Sequence, residues 1–379
     1  MPHIYLDNAA TTPLDPEVLK EVYGVMEKNF GNPSSIHAHG REARTIIEKA
    51  RKTVANLLNV SPSEIFFTSG GTEADNMAIR SGIIDHKIKH AITTRTEHHA
   101  VLHTLESMER NGIISLSFVD IDSRGNIDMD HLEKLLAENE RSFVSLMEAN
   151  NELGTLTDIN KVGELCRQYD AIFHSDTVQT MGHFIHDLQK TGVHFVTCAA
   201  HKFHGPKGVG FLYVNHSIKI NPLIYGGSQE RNMRGGTENV YGIVGLAKAL
   251  EIAYRDMEQD HKSISELKAY MIGKLVENIP GVEFNGETDD DKSLCTVLNV
   301  SFPEMEMADM LLFNLDIAGI SCSGGSACSS GTNIGSHVLE AISASPERPA
   351  VRFSFSKYNT AEEIDYTVAK LREITASFS

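Results

Sequence analysis

Short apolar runs recur along the first part of the chain, and longer stretches with helical spacing separate most of them. The runs typical of strands are 65–67, 91–93, 115–119, 143–147, 171–173, 195–197 and 210–214. The stretches typical of helices are 34–59, 72–84, 130–139 and 159–168. Because parallel strands need helical crossovers, this alternation predicts a mostly parallel sheet that is covered by helices on both faces.

The pattern changes after a long segment at 240–260. Shorter elements of both periods follow that segment. They are a helix, a strand at 296–302, a helix at 307–318, strands at 319–323 and 351–355, and a final helix from residue 360. This order predicts a second, smaller α+β domain.

Composition narrows the class of protein. Lysine and arginine total 34 against 51 acidic residues, and the formal net charge of −17 argues against nucleic acid or an anionic membrane as the main partner. The first residues form neither a basic start nor an apolar signal core, and no apolar run reaches membrane-spanning length. We therefore expect a cytoplasmic protein.

The cysteines support the same compartment. They are Cys166, Cys198, Cys295, Cys322 and Cys328. An odd, widely spaced set without a C-x-x-C pair is typical of reduced thiols, and not of a disulfide framework or structural zinc.

Lys202 is the most informative single residue, because it follows an apolar strand and precedes the glycine-rich turns at 205–208. Partial desolvation at a strand end favours the neutral amine, which is the nucleophilic form of lysine. Such a lysine is a candidate for a Schiff base with pyridoxal phosphate. The alternative is an ordinary surface lysine after a buried strand.

A candidate phosphate site lies at 66–76, where a strand, a Gly-Gly turn and a helix start follow one another. The glycines let the backbone approach an anion, and the helix dipole with the Thr72 hydroxyl would complete the site. Alternatively, Ser69 and Thr72 only cap the helix.

Asp176 comes directly after another apolar strand, one strand-helix-strand step before Lys202. The carboxyl ends of parallel strands share one crevice, so both residues can face the same ligand. A buried carboxylate there would keep a pyridine nitrogen protonated, and Gln179 would bond the phenolic oxygen of the ring. The alternative is that Asp176 caps the next helix.

Histidines form the next candidate group. His98 would stack on the cofactor ring and carry protons, because imidazole titrates near neutral pH. His99 and His103 lie four residues apart, which leaves a metal site as an alternative. No nearby residue completes a tetrahedral set with familiar spacing, so we expect no metal ion there. No motif resolves His37 and His39.

A loop of small residues at 320–333 carries Cys322 and Cys328. Its composition forbids a rigid packed core, so a thiol there would reach into a pocket and then present its cargo to a partner. A flexible linker with incidental cysteines is the alternative. Arg352 stands in an otherwise apolar strand, and burying a guanidinium is costly without an anion. It is a candidate for binding a substrate carboxylate, with a structural salt bridge as the alternative.

Further short motifs accompany these groups. They are Tyr-Leu-Asp-Asn-Ala-Ala-Thr-Thr at 5–12, Gly-Asn-Pro-Ser-Ser at 31–35, Thr-Ser-Gly-Gly-Thr-Glu at 68–73, Thr-Glu-His at 96–98, Asn-Asn-Glu-Leu-Gly at 150–154, His-Lys at 201–202, Arg-Gly-Gly-Thr at 234–237 and Gly-Ser-Ala-Cys at 325–328. In this order, they resemble the pyridoxal-phosphate-dependent cysteine desulfurases of the NifS/IscS type, in the class-V aminotransferase family.

The resemblance covers nearly the whole chain and implies an α/β fold of the aspartate-aminotransferase-like type, the fold type I of pyridoxal phosphate enzymes. It implies a large cofactor-binding domain at 16–258 with a parallel or mixed sheet. The smaller α+β domain would comprise 1–15 and 259–379, with a mobile cysteine loop at about 321–334. It also implies a homodimer.

The resemblance assigns a role to each candidate residue. Lys202 would hold the cofactor covalently, Asp176 would pair with the pyridine nitrogen, and His98 would stack above the ring. Other cofactor contacts would come from Gly71, Thr72, Asn151, Gln179, His201 and, across the dimer, Thr237. Arg352 would bind the substrate carboxylate, with Asn32 and Asn151 nearby.

The implied activity converts L-cysteine to L-alanine and transfers sulphur to Cys328 as a persulfide, with Cys322 as a weaker candidate. The partner would be a sulphur acceptor or an iron–sulphur scaffold protein, for cluster assembly or tRNA thiolation. Competing hypotheses are a selenocysteine lyase, another fold-type-I enzyme and a non-catalytic sulphur carrier. One position departs from the family: Ala199 replaces a serine that usually binds phosphate, at an expected cost of about 1 kcal/mol.

Overall fold

The computed structural model describes residues 3–305, 310–324 and 335–377. Its α-helices are α1 (Pro16–Lys28), α2 (Ala38–Leu57), α3 (Gly71–Asp85), α4 (His99–Arg110), α5 (Met129–Glu138), α6 (Ile159–Gln168), α7 (Val240–Asn278), α8 (Leu311–Ile317), α9 (His337–Ala341) and α10 (Ala361–Ser377). No helix in these ranges is both long enough and apolar enough to cross a membrane.

The strands form three sheets. They are β1 (Ile4–Tyr5), β2 (Ile65–Thr68), β3 (His90–Thr93), β4 (Ser115–Phe118), β5 (Phe143–Ser145), β6 (Ile172–Asp176), β7 (Phe195–Ala199), β8 (Gly210–Val214), β9 (Glu283–Asn285), β10 (Val297–Ser301), β11 (Ile320–Ser321), β12 (Ser323–Gly324) and β13 (Ala350–Ser354).

The main sheet has the order β2-β8-β7-β6-β5-β3-β4. Its strands from β4 to β7 are parallel, and β8 is antiparallel to both of its neighbours. Every strand except the edge strand β4 is buried along its whole length, as expected for a sheet covered on both faces. The predicted mostly parallel sheet is confirmed, and all seven of its strands form.

Local sequence explains where several helices begin. Asp15 accepts a hydrogen bond from the Glu17 amide and precedes Pro16 at the start of α1. Asp128 and Asp158 cap α5 and α6 in the same way. The four helices predicted in the first part of the chain all form, whereas α1 and α4 were not among the predicted helical stretches.

A second core lies around β10 and β13, in a sheet with the order β12-β13-β10-β9. The strand predicted at 319–323 is divided: β11 pairs with β1, and β12 pairs with β13. The helix predicted at 307–318 is α8 where the structure describes it. The smaller α+β unit of the predicted fold class is therefore present.

Helix α7 extends to Asn278, well beyond the segment predicted at 240–260, and it contributes residues to both cores. Ile243 and Leu246 pack in the core of the main sheet, whereas Met271 and Leu275 pack in the second core. The domain boundary at residue 258 stays a prediction.

Candidate active site

A cavity of about 390 Å³ opens at the carboxyl ends of the central strands. Its walls also include the start of α3, the segment after β1, and β13. The candidate residues that line it are Gly71, Thr72, His98, Asn151, Asp176, Gln179, His201, Lys202 and Arg352. The topology thus brings residues from distant parts of the sequence to one place.

Two candidates among the described residues do not line this cavity. Asn32 is exposed, and its side chain accepts a hydrogen bond from the Ser34 amide. Thr237 is exposed and lies in a separate groove. Cys328 lies outside the residues that the structure describes.

Lys202 ends a single 3₁₀ turn, Ala200–Lys202, that begins directly after β7. Its side chain is half-buried, and Nζ donates to the carbonyl oxygens of Ala9 at 2.5 Å and Ala10 at 2.9 Å. The segment after β1 therefore holds the amine inside the cavity.

The start of α3 forms one end of the cavity. No side chain of the described residues caps this helix at Gly70, so its first amides stay available to an anion. A Cβ on Gly71 would lie only 2.9 Å from Cγ2 of Val178, so the backbone is packed too closely for a larger residue. Burial, with the charge of Lys202, lowers the pKa of the neighbouring His201 to about 4.

A pair of buried carboxyl groups forms the floor. Asp176 is the last residue of β6, and its Oδ1 accepts from the Val178 amide at 2.9 Å. Burial, with the charge of Asp75, raises the pKa of Asp176 to about 6. Burial raises the pKa of Asp75 to about 7, and its Oδ1 has no hydrogen-bond partner among the described residues. Ligand-type atoms of both carboxyls and of His98 lie within 4.8 Å of one another.

His98 is the N-cap of α4, and its Nδ1 accepts from the Ala100 amide at 3.1 Å. The neutral ring therefore carries its proton on Nε2. Burial lowers the pKa of His98, although the charge of Asp176 opposes this.

His99 is stacked between two other rings, with centroids 4.6 Å from His103 and 4.4 Å from His337. Within the described residues, neither His99 nor His103 belongs to a group of three suitably placed metal ligands. The arrangement gives the metal alternative no support.

Arg352 lies on β13, and 3% of its side chain is exposed. It donates to the Asn151 carbonyl and to Asp7 Oδ1, both at 2.9 Å, so the structural salt bridge exists. Its Nε is buried without a partner among the described residues. The guanidinium thus keeps one donor unused beside the cavity that it lines.

Four of the five cysteines lie in described parts of the chain, and burial raises the pKa of each thiol. The pKa of Cys322 rises to about 12, so its thiolate is disfavoured at neutral pH.

Sequence reasoning missed Asp75 and Asp7. Asp75 lies one helical turn after Thr72, but an acidic residue inside a helix is usually solvated, so nothing local marked it as buried. Asp7 is within a motif that was noticed, yet its pairing with Arg352 depends on a contact between the two ends of the chain.

Comparisons with known proteins agree with this geometry. The family model described as aminotransferase class-V matches residues 4–367. The chain belongs to the class-V aminotransferase family.

Cysteine desulfurase IscS from Dictyoglomus turgidum is 43% identical over 375 residues, which cover 98% of this chain and 94% of that protein. A solved NifS-like protein superposes with a TM-score of 0.91 at 38% identity, over 100% of both chains. A structure described as SspA in complex with cysteine gives 0.81 at 30% identity, over 94% of this chain and 100% of that one. The predicted aspartate-aminotransferase-like fold is confirmed.

Membership of the class-V aminotransferase family also confirms pyridoxal phosphate as the cofactor, and the residues present fit it. The uncapped start of α3 suits a phosphate, and the buried carboxyl groups of Asp75 and Asp176 suit a positively charged ring nitrogen. Lys202 supplies an amine for covalent attachment in the same cavity.

Proposed function

We propose that this protein is a cysteine desulfurase, which converts L-cysteine to L-alanine and transfers the sulphur to a cysteine of its own chain. The observation that carries the proposal is that Lys202, Asp176 and Arg352 line one cavity. Relatives named cysteine desulfurase, at 40% identity or more, support it.

Residues of this chain bind the substrate, hold the cofactor and move the proton. Arg352 binds the substrate carboxylate, and its unused Nε adds a donor to the two Nη groups. Asp176 holds a proton on the ring nitrogen, while Gly71, Thr72 and His201 bind the phosphate. The cofactor, when bound, withdraws electrons from the α-carbon of the substrate. Lys202 then removes the proton from that carbon.

The remaining residues orient the cofactor ring and accept the sulphur. Gln179 is held by a hydrogen bond from Nε2 to the Ala9 carbonyl and, with Asn151, contacts the ring substituents. His98 stacks over the ring and donates a hydrogen bond from Nε2. Cys328 attacks the substrate sulphur, and the S–S bond of the persulfide forms as the carbon–sulphur bond breaks. The electron pair stays on the carbon, which is protonated to give alanine. This role of Cys328 rests on the family motif at 325–328.

The enzyme works as a homodimer in this proposal. Thr237 lies in a groove of about 190 Å³ that is separate from the cofactor cavity of its own chain, so it serves the phosphate of the partner subunit. In the same groove, Glu238 Oε2 is buried without a partner among the described residues. Large apolar side chains such as Phe30 and Tyr225, 75% and 80% exposed, offer surface for a second copy. Asn32 would complete the substrate site only in that assembly.

The partner that receives the sulphur is a scaffold protein for iron–sulphur clusters or another thiol acceptor. The free thiols of Cys166, Cys198, Cys295 and Cys322 suit a reducing compartment, so we place the enzyme in the cytoplasm.

Two substitutions test the proposal. Lys202→Ala is expected to abolish the pyridoxyl-lysine that borohydride traps, and peptide mass spectrometry would locate that group. Cys328→Ala should retain the bound cofactor but form no persulfide from L-cysteine. The same mass spectrometry on the intact enzyme should find the persulfide on Cys328. Trapping at a different lysine, or full sulphide release by Cys328→Ala with a physiological thiol, would contradict the assignment.

A further inference from the structure

The segment that precedes Thr237 has an unusual backbone. Glu230, Arg231 and Asn232 have φ values of 42°, 58° and 67°, so three consecutive residues other than glycine adopt the left-handed conformation. This conformation is unfavourable for a residue with a side chain, and a run of such residues persists only where the surroundings enforce it. The contacts of this segment show what enforces it.

The inner end of the segment is fixed by a buried ion pair. Both oxygens of Glu230 accept from Arg51 on α2, each at 2.7 Å, and the two side chains are 3% and 2% exposed. Glu230 also accepts from the Phe67 amide of β2 at 2.9 Å. The strained residues are therefore anchored to the main core.

The outer end is fixed by a second forked pair. Arg234 donates from Nε and Nη2 to the two oxygens of Glu73, at 2.9 and 3.1 Å. Glu73 lies in the first turn of α3, directly after Gly71 and Thr72, and it also accepts from the Ser69 amide at 2.9 Å. One carboxylate thus joins the phosphate-binding turn of this chain to the segment that ends in Thr237.

We propose that Arg234 and Glu73 are positioning residues that hold Thr237 for the partner subunit and couple the two phosphate sites of the dimer. This inference rests on the proposed function, because it needs a dimer in which Thr237 reaches the partner's cofactor. Arg234 is three residues from Thr237, and the intervening Gly235 and Gly236 are fixed by hydrogen bonds from their amides to Ile224 O and Gln229 Oε1. The fork between Arg234 and Glu73 is the contact that ties this run to the phosphate-binding turn, so its loss is expected to displace the Thr237 hydroxyl.

The test uses hybrid dimers, because the effect must appear in the other subunit. One chain carries Lys202→Ala together with Arg234→Met, and its differently tagged partner is unchanged, so only the unchanged chain holds the cofactor covalently. The readout is the rate at which the cofactor band disappears when a scavenger traps released pyridoxal phosphate. We expect release about tenfold faster than from a hybrid with Lys202→Ala alone, since one hydrogen bond to a charged phosphate is lost.

Matched variants separate positioning from general damage. Arg255→Met removes another forked pair, with Glu17 at 2.9 and 3.2 Å, and in the same hybrid it should leave release unchanged. Arg234→Lys keeps the charge but not the fork, so its release rate should lie between those of the Arg234→Met hybrid and the Lys202→Ala hybrid. Glu73→Gln in the Lys202→Ala chain removes the charge of the other partner. Its release rate should equal that of the Arg234→Met hybrid. This variant keeps the test decisive if Arg234→Met does not fold.

The possible outcomes separate the positioning role of Arg234 and Glu73 from the proposed function. Release at the Arg255→Met rate from both the Arg234→Met and Glu73→Gln hybrids would overturn this inference and leave the desulfurase intact. An unmodified protein that is monomeric would overturn the inference together with the proposed dimer. Faster release only from the subunit that carries Arg234→Met, in a chain that retains Lys202, would also refute it, because the pair would then act within one chain.

Discussion

Arg51 and Arg352 are both about 2% exposed, but their surroundings differ. Arg51 uses every nitrogen: Nε contacts Glu48 at 3.3 Å, both Nη groups bind Glu230, and Nη1 also donates to the Ile65 carbonyl at 2.8 Å. Arg352 binds Asp7 and the Asn151 carbonyl, whereas its Nε has no partner among the described residues. Only Arg352 lines the cofactor cavity.

This difference is the one expected between an arginine that stabilises the fold and one that binds a ligand, as proposed for Arg352. Leaving a buried donor unpaired costs about 1–3 kcal/mol, so it persists where a ligand supplies the missing partner. Burial alone does not distinguish the two cases, and neither does the presence of a salt bridge. The Nε of Arg352, unpartnered among the described residues, does so only together with its position in the cavity wall.

The largest expected effect is the loss of stability when Arg51 is replaced. Arg51→Met leaves Glu230 buried and uncompensated, so we expect the free energy of unfolding to fall by about 4 kcal/mol. Urea unfolding of the cofactor-free protein measures it. Arg255→Met, on the surface, is the control and should change the value only slightly, because solvent screens an exposed ion pair. A loss of that small size for Arg51→Met would contradict the comparison.

The second prediction concerns the binding member. Arg352→Lys keeps the charge opposite Asp7 but loses the planar fork, so kcat/KM for L-cysteine should fall about 100-fold, mainly through KM. The free energy of unfolding should stay close to that of the unchanged protein. A normal kcat/KM with a large loss of stability would make Arg352 structural, like Arg51.

The third prediction extends the comparison to acidic groups. The pKa of Asp176 in the folded, cofactor-free protein is raised to about 6 from an ordinary value near 3.8. Its contribution to stability is therefore complete below the ordinary value and is lost as the pH rises through about 6. Between pH 4 and pH 7.5 the loss should be roughly 2 kcal/mol.

Asp176→Asn should lack this part of the pH dependence, because an amide does not titrate. Subtracting the two unfolding profiles removes the opposite contribution of buried histidines such as His174, whose pKa is lowered to about 4 by burial. If the free energy of unfolding has the same pH dependence in the unchanged protein and in Asp176→Asn, the pKa of Asp176 is not raised by folding.

The smallest expected effect is at the phosphate end. Ala199 ends β7, is buried and lines the cavity, so Ala199→Ser places a hydroxyl near the start of α3. We expect about fivefold slower release of pyridoxal phosphate, which corresponds to about 1 kcal/mol. Ser175, inside β6, bonds to the Leu146 carbonyl, and Ser175→Ala is a control that should leave release unchanged. Faster release from Ala199→Ser would mean that the site has no room for the hydroxyl.

The main sheet could be predicted from the sequence, because strands buried on both faces produce continuous apolar runs, as at Phe195–Ala199. The sites at the ends of β6 and β7 followed from the rule that such ends share one crevice. Strand β1 was missed, since two residues that pair with Ile320–Ser321 leave no local signal. Asn32 and Thr237 lie away from the cavity of their own chain, so the roles assigned to them rest on the proposed dimer, which no pattern within one chain describes.

The segment after β1 has a consequence for the order of assembly during synthesis. Ile4 and Tyr5 pair with residues more than 300 positions later, and Ala9 and Ala10 form the cavity wall that holds Lys202. A nascent chain emerges from the ribosome amino end first, so Ile4 and Tyr5 stay without their strand partner until residues 320–321 have been made. The segment that holds Lys202 therefore gains its strand support only after both cores have been synthesised to that point.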